Sequence, residues 1–137
     1  MTRPSWDEWA MGVAEAVARR GDCTRSQVGA VALDQDHIII ATGYNGSPPG
    51  DPGCKSDGAC PRASSDVPPG SSYDTGPGAC IALHAEQNLI MRSDWKTLVG
   101  STLYVTREPC GGCFKMINAA RFGRVVWPRK NLILPWT

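Results

Sequence analysis

Two short runs of the sequence carry side chains that bind metals and move protons. One is a His-Ala-Glu run at 84–86, and the other is a Cys-Gly-Gly-Cys run at 110–113. Imidazole and thiolate groups are ligands that zinc prefers, and three protein ligands leave the fourth tetrahedral position open for water. Zinc lowers the pKa of that water to about 7, and a nearby carboxylate can accept its proton. The runs predict a hydrolytic zinc site with His84, Cys110 and Cys113 as ligands and Glu86 as the proton carrier.

Both runs lie near the predicted start of a helix. The unpaired N–H groups and the dipole at a helix N-terminus favour the thiolate form of cysteine, which is the form that binds metal. The glycines between the two thiols let the backbone wrap closely around an ion. Each run taken alone has another interpretation, because Cys-x-x-Cys also occurs in redox pairs and structural zinc knuckles, and a lone histidine is often a core residue.

Hydrophobic periodicity predicts the elements that position these runs. Ser5 and Glu8 form a capping box for a first helix whose apolar side includes Trp6, Trp9 and Val13. A strand hairpin follows, and the last two strands are joined by a crossover helix and are expected to run parallel. The predicted elements are helix 5–20, strands 28–33 and 37–42, helix 81–92, strand 102–106, helix 113–121 and strand 124–127. This order predicts an α/β fold, a three-layer α-β-α sandwich with a mixed central sheet.

A long segment rich in glycine and proline, residues 43–79, interrupts this pattern. It has almost no apolar periodicity, so it cannot form a core of its own. Loops of this length in compact domains are usually functional, disordered or held by a metal. Cys54 and Cys60 lie inside the segment and Cys80 follows it directly, which favours a loop that is held in place.

Composition limits the classes of function. The 137 residues are 42% hydrophobic and 20% charged, which fits one soluble domain spanning 1–137. The formal net charge of +1 gives no basic excess for binding a nucleic-acid polymer. No apolar run approaches the ~20 residues of a membrane-spanning helix, and the first residues lack the apolar core of a secretory signal. We therefore expect a cytoplasmic protein, in which disulfides are disfavoured.

Longer runs around these residues resemble a known family. The order His-x-Glu followed by Pro-Cys-x-x-Cys is the signature of zinc-dependent deaminases. Within that class the sequence resembles the cytidine and deoxycytidylate deaminases, and most closely the deoxycytidylate branch. The runs that carry this resemblance are Ser5–Glu8, Cys23–Val31, Thr42–Pro48, Cys60–Arg62, His84–Asn88 and Leu103–Thr106.

The resemblance implies hydrolysis of dCMP to dUMP and ammonia, with zinc as the cofactor and a small nucleotide as the only substrate partner. It also implies that Asn45 hydrogen-bonds the sugar or phosphate and that the backbone N–H of Ala85 contacts the base carbonyl. Arg25 is the candidate for the 5′-phosphate, because a guanidinium binds phosphate in a bidentate way; the alternative is a surface arginine. Asn88 either faces the substrate sugar or braces the site.

The family also supplies expectations outside the active site. Some members carry a second, structural zinc near the corresponding loop, for which Cys23, Cys54, Cys60 and Cys80 are the candidate ligands here. The alternative is that these cysteines pack as small hydrophobes. Members form dimers or hexamers, so a homo-oligomer is expected.

The sequence departs from the family pattern at its C-terminus. The family usually continues after the last predicted strand with a helix and a strand that help to cover the nucleotide, whereas only residues 128–137 follow here. The resemblance therefore implies a truncated C-terminus. Trp127, Trp136 and the apolar run 132–134 are expected to dock on a partner, because exposed apolar clusters usually mark interfaces.

Other functions stay open at this point. Within the enzyme class, the substrate is alternatively CMP, cytidine or a modified cytosine nucleotide. A non-catalytic, zinc-stabilised nucleotide-binding module is a different class, but it would need no carboxylate such as Glu86 beside an open coordination position. Nucleic-acid editing is disfavoured by the neutral charge and by the lack of an aromatic and basic surface.

Overall fold

Five strands and four helices organise the structure, a computed structural model that describes residues 2–73 and 75–135. In chain order the elements are α1 Trp6–Ala18, β1 Gly29–Leu33, β2 Ile39–Tyr44, α2 Ala85–Met91, α3 Trp95–Leu98, β3 Thr102–Val105, α4 Gly111–Ala119, β4 Arg124–Trp127 and β5 Lys130–Ile133. The strands form one sheet in the order β2-β1-β3-β4-β5. In the described ranges, none of the helices has the length and hydrophobicity that crossing a membrane requires.

The sheet is mixed and has helices on both faces. Strand β1 pairs antiparallel with β2 and β3, and β3 and β4 run parallel on either side of the crossover helix α4. One face packs on α1 through Val31, Leu33 and Tyr104. The opposite face packs on α2 and α4, whose buried side chains include Leu89 and Ile117. These observations confirm the predicted α/β fold with three layers.

The buried side of α1 differs from the prediction. Trp6 is 53% exposed and Trp9 is 38% exposed, and the helix faces the sheet with three alanines, Ala10, Ala14 and Ala18. The reason lies in β1, where a side-chain carbon added at Gly29 would lie 2.1 Å from the carbonyl oxygen of Ala14. The two backbones touch at this point, so only small side chains fit between them.

Three predicted boundaries move for local reasons. Helix α2 begins at residue 85 instead of 81, because Leu83 is extended and exchanges two backbone hydrogen bonds with Gly46. Strand β2 begins at residue 39 instead of 37, because His37 has a φ of 63° and belongs to the turn. Helix α4 ends at residue 119, before Arg121, which has a φ of 65°. The described part of the segment between β2 and α2 contains no helix, as predicted.

The burial of Trp127, the last residue of β4, contradicts the expectation that this side chain docks on a partner. Trp127 is only 7% exposed, and its ring meets the edge of Phe114 with centroids 5.7 Å apart. The unpredicted strand β5 pairs antiparallel with β4 and leads to a buried Leu134. Trp136 lies outside the described residues. Of this apolar group, Leu132 and Ile133 remain exposed along the edge strand.

Asp7 connects α1 to the sheet. Its carboxylate accepts hydrogen bonds from the Tyr104 hydroxyl at 2.7 Å and from both terminal nitrogens of Arg124 at 2.9 and 2.5 Å. The hydrogen bonds from Arg124 hold the pKa of this carboxyl below its usual range. Helix and sheet are thereby joined by a charge-assisted, bidentate contact in addition to apolar packing.

We expect Asp7→Asn to lower the free energy of unfolding at neutral pH by about 1 kcal/mol, because the pair is partly exposed to solvent. The folded-state pKa of Asp7 lies below that of the unfolded chain, which is about 4. The stabilisation is therefore present above that value and is lost as the pH falls through the folded-state pKa. Urea denaturation at neutral pH and at about pH 3 measures both effects. Glu15→Gln, which removes the same charge from the exposed side of α1, is the control; an equal loss in both variants would contradict the role of the pair.

Candidate active site

The first turn of α2 lies directly on strand β2. A side-chain carbon added at Gly43 would lie 2.4 Å from the carbonyl oxygen of Ala85, so no other residue type fits there without displacing the helix. Ala85 and Glu86 are consequently buried, with Glu86 only 4% exposed. His84 is the N-cap of the helix, and its backbone N–H donates to the side-chain oxygen of Gln87 at 2.8 Å. This contact is one half of a capping box and fixes the direction in which the chain enters the helix.

Helix α4 supplies the two thiols. Cys110 is its N-cap, and its Sγ accepts a hydrogen bond from the backbone N–H of Cys113 at 3.4 Å. Cys113 is buried, whereas Cys110 is exposed. The prediction that both thiols lie at a helix start is confirmed, with the helix beginning at Gly111.

The three predicted ligands meet. Nδ1 of His84 lies 3.2 Å from Sγ of Cys113 and 3.5 Å from Sγ of Cys110, and the three donor atoms all lie within 4.8 Å of one another. Zn–S distances of about 2.3 Å and Zn–N distances of about 2.0 Å at tetrahedral angles separate nitrogen and sulfur donors by about 3.5 Å. The donor set therefore fits zinc in both chemistry and spacing.

Burial raises the pKa of the Cys113 thiol, and the nearby carboxylate of Glu86 raises it further. The second effect shows that Glu86 lies close to the metal donors. A thiol with a raised pKa keeps its proton until a cation compensates the charge of the thiolate. The buried environment of Cys113 is therefore suited to a bound metal ion.

A cavity of about 610 Å³ opens above these residues, a size typical of small-molecule sites. His84, Glu86 and Cys110 line it together with three of the four predicted substrate-binding residues, Arg25, Asn45 and Ala85. Asn88, the fourth, donates its side-chain N–H to the carbonyl oxygen of Tyr44 at 2.8 Å. That contact favours the bracing role among the two that the sequence left open.

Asn45 also has a bracing contact. Its side-chain oxygen accepts from the backbone N–H of Val28 and its side-chain N–H donates to the carbonyl of Ser26, both at 2.9 Å. The amide therefore holds the segment that follows Arg25 against the cavity wall. Direct contact between Asn45 and a nucleotide stays a prediction.

The structure also brings three unpredicted residues to the site. Gln87 orients the N-cap at His84. Its position three residues after His84 is the spacing of a capping box, and this signal in the sequence could have identified it. Arg107 lines the cavity. It precedes the Pro-Cys-x-x-Cys run by two residues, and this short separation in the sequence could have indicated that it lies near the metal donors. Tyr73 lines the cavity from the long loop, where no pattern in the sequence marks it.

The four remaining thiols are near one another without forming a compact donor set. Among the described residues, no three of Cys23, Cys54, Cys60 and Cys80 have all their sulfur atoms within 4.8 Å of one another. Burial raises the pKa of the Cys54 thiol, and the other three thiols each raise it further. All six cysteines of the chain are free thiols.

A three-layer α/β sandwich that holds a His-Cys-Cys donor set beside a buried glutamate is a zinc-dependent deaminase. Residues 4–128 match the model of the cytidine and deoxycytidylate deaminase zinc-binding region. The chain belongs to the cytidine and deoxycytidylate deaminase family.

Known proteins resemble this chain over most of its length. The deoxycytidylate deaminase of Mycobacterium phage D29 is 48% identical over 132 residues, which cover 96% of this chain and 100% of that protein. The deoxycytidylate deaminase of Schizosaccharomyces pombe is 38% identical over 127 residues, 91% of this chain but 37% of that protein. The crystal structure of the dCMP deaminase of cyanophage S-TIM5 in complex with dCMP and dUMP has a TM-score of 0.63 and 26% identity, and the match covers 93% of this chain and 83% of that chain. These similarities confirm the family and the fold class predicted from the sequence.

Replacing Cys110 by serine separates metal binding from folding. The hydroxyl of Cys110→Ser keeps an N-cap acceptor for α4 but removes the soft ligand that zinc prefers. We expect the purified variant to lose one zinc ion per chain and its deaminase activity, while far-UV circular dichroism stays unchanged. Metal analysis after dialysis against a weak chelator measures the zinc. A variant with full zinc content would rule out this thiol as a ligand.

Proposed function

We propose that this protein hydrolyses dCMP to dUMP and ammonia. The observation that carries the proposal is a cavity lined by His84, Cys110, the buried Glu86 and Arg25, with the third zinc donor, Cys113, beside the first two. The zinc donors and Glu86 provide hydrolytic chemistry, and Arg25 provides a cation for a substrate phosphate. The relatives named deoxycytidylate deaminase support the choice of dCMP among cytosine nucleotides.

Glu86 carries the protons in this reaction. His84, Cys110 and Cys113 would hold the zinc ion, which when bound promotes attack by water at neutral pH. Glu86 accepts a proton from the attacking water and passes it to the ring nitrogen N3 of cytosine. It then carries the second proton to the exocyclic amine, which leaves as ammonia. The burial of Glu86 keeps bulk water from competing for these protons.

Three further groups orient the nucleotide. The backbone N–H of Ala85 belongs to the first turn of α2, where helical N–H groups have no partner within the helix, and it donates to the carbonyl oxygen of the base. Arg25 binds the 5′-phosphate at the other end of the substrate, and Asn45, which holds the segment that follows Arg25, contacts the sugar or phosphate. The nucleotide is thereby held at both ends, by its base and by its phosphate, which fixes the position of the reacting ring carbon C4 at the zinc site.

A substrate panel with Glu86→Gln as the catalytic control tests this proposal. We expect the wild-type protein to release ammonia from dCMP with a higher kcat/KM than from CMP or deoxycytidine. Glu86→Gln is expected to keep its zinc and to lose about 10²- to 10⁴-fold in kcat, the usual contribution of a general acid–base. Undiminished turnover by that variant would contradict the role of Glu86, and a preference for deoxycytidine would contradict the nucleotide assignment.

We also propose that Cys23, Cys54, Cys60 and Cys80 hold a second, structural zinc ion. Support comes from Cys54, which is buried in a loop without apolar periodicity and has the other three thiols as electrostatic neighbours. A zinc ion bound by the four thiolates would compensate their negative charge and would lower the pKa of Cys54, which burial raises first and the other three thiols raise further. The proposal requires the four sulfur atoms to move into one donor set, which they do not form among the described residues.

Cys54→Ser tests the second zinc. We expect the wild-type protein to contain two zinc ions per chain and the variant to contain one, with a lower Tm and with the catalytic zinc retained. Cys110→Ser is the matched comparison, because it loses the other ion and with it the activity. One zinc per wild-type chain would show that the loop thiols are packing residues.

We propose further that residues 1–137 act as one domain, in the cytoplasm and as a homo-oligomer. Free thiols throughout the chain suit a reducing compartment. Large apolar side chains, Met91 and Trp95 among them, are exposed around α3 and support self-association. Light scattering on the purified protein measures the oligomeric state.

A further inference from the structure

Two arginines face the active-site cavity without a carboxylate partner. The guanidinium of Arg25 donates to the Tyr73 hydroxyl, and that of Arg107 donates to the Ser26 hydroxyl at 3.4 Å. Among the described residues, the pair of Asp7 and Arg124 is the one ion pair within 4 Å. Glu108 also lines the cavity, but it forms no such pair with either arginine. Both positive charges are therefore held in place by neutral groups.

Ser26 links the two arginines that line the cavity. It follows Arg25 directly in the chain, its hydroxyl contacts Arg107, and its carbonyl is held by Asn45. Two like charges that line the same cavity repel each other unless an anion lies between them. A phosphate monoester, with up to two negative charges and three acceptor oxygens, is the substrate group that would relieve this repulsion.

The long loop controls the orientation of Arg25 through Tyr73. Arg62 lies on the face of the Tyr73 ring, 3.8 Å from its centroid, and it also donates to the carbonyl oxygens of Ser71 and Ser72 at 2.6 and 3.1 Å. These contacts hold the aromatic ring, so that its hydroxyl can accept from Arg25. Arg62 does not line the cavity itself, but it contacts the tyrosine that does.

We propose that Arg107 is a second phosphate-binding residue beside Arg25, and that Tyr73 is a positioning residue that orients Arg25 toward the same phosphate. This inference rests on the proposed function, since it concerns the 5′-phosphate of dCMP. Together the three residues determine the preference for nucleotides over nucleosides. They contribute to substrate binding and leave the chemistry at the zinc site unchanged.

Arg107→Ala tests the second phosphate contact. Loss of a charged hydrogen-bonding partner weakens binding by about 10- to 100-fold. We expect KM for dCMP to rise by that factor with kcat nearly constant, and kcat/KM for deoxycytidine to stay within about twofold. Arg19→Ala removes the same charge from the exposed end of α1 and is expected to change neither substrate. An equal effect of Arg107→Ala on both substrates, or none on dCMP, would overturn the inference.

Tyr73→Phe tests the positioning role. The phenylalanine ring still packs under Arg62 but lacks the hydroxyl that holds Arg25. We expect KM for dCMP to rise by about 3- to 10-fold, the effect of one typical hydrogen bond, with deoxycytidine turnover unchanged. Inhibition constants of dUMP and deoxyuridine give the same comparison from the product side. A variant that binds dUMP as well as the wild type does would remove Tyr73 from the proposal.

The outcomes separate this inference from the proposed function. Turnover of dCMP by the wild type with no effect of Arg107→Ala leaves the function standing and refutes the second phosphate contact. If the wild type does not turn over dCMP, the function fails, and the anion site is judged by the rise in Tm that inorganic phosphate produces. A rise that Arg107→Ala abolishes supports the site, and an equal rise in the variant refutes it.

Discussion

The direct contact between the first turn of α2 and strand β2 at Gly43 is the constraint on which the active site depends. Because no side chain separates the two backbones, the helix start is held at one height above the sheet. His84 caps the helix at the rim, while Glu86 is carried down into the buried layer. A looser contact would tilt the helix and separate the imidazole from the thiols of α4. The same principle of close backbone approach operates on the other face, where Gly29 brings α1 against β1.

The second organising feature is the balance of charge around the metal donors. A buried thiol beside a buried carboxylate is an unfavourable arrangement in the absence of a cation, as the raised pKa of Cys113 shows. A divalent ion reverses this situation, because it favours the thiolates and leaves the carboxylate free to exchange protons. Folding thus prepares a site whose electrostatics are completed only by the metal. This preparation accounts for the combination of soft ligands and a hard carboxylate in one small volume.

Residue spacing was sufficient to predict that His84, Cys110, Cys113 and Glu86 lie together at one site, and it also predicted the parallel pair of strands and the three-layer architecture. Each half of the metal motif lies within a few residues at the start of one helix. The crossover connection between parallel strands has only one favourable hand, so the order of the elements determines that the two helix starts meet. The buried side of α1 was not predictable from hydrophobicity, because it depends on a backbone contact with Gly29 that belongs to another element. Tyr73 and Arg107 escaped prediction because their roles arise from contacts across the cavity and along an irregular loop. Strand β5 is short, and its pairing with β4 is visible only in the fold.

The connection from Arg62 through Tyr73 to Arg25 has an evolutionary consequence. The residues to which we assign the chemistry lie at the starts of helices that pack on the sheet, whereas Tyr73 and Arg62, to which we assign part of the substrate selection, lie in an irregular loop. Insertions and deletions are tolerated in such segments far more readily than in helices that pack on a sheet. Related enzymes can therefore diverge in the phosphorylation state of their substrate by remodelling one loop. The reaction itself would be inherited unchanged, which makes substrate choice and catalytic chemistry two separately heritable traits of this scaffold.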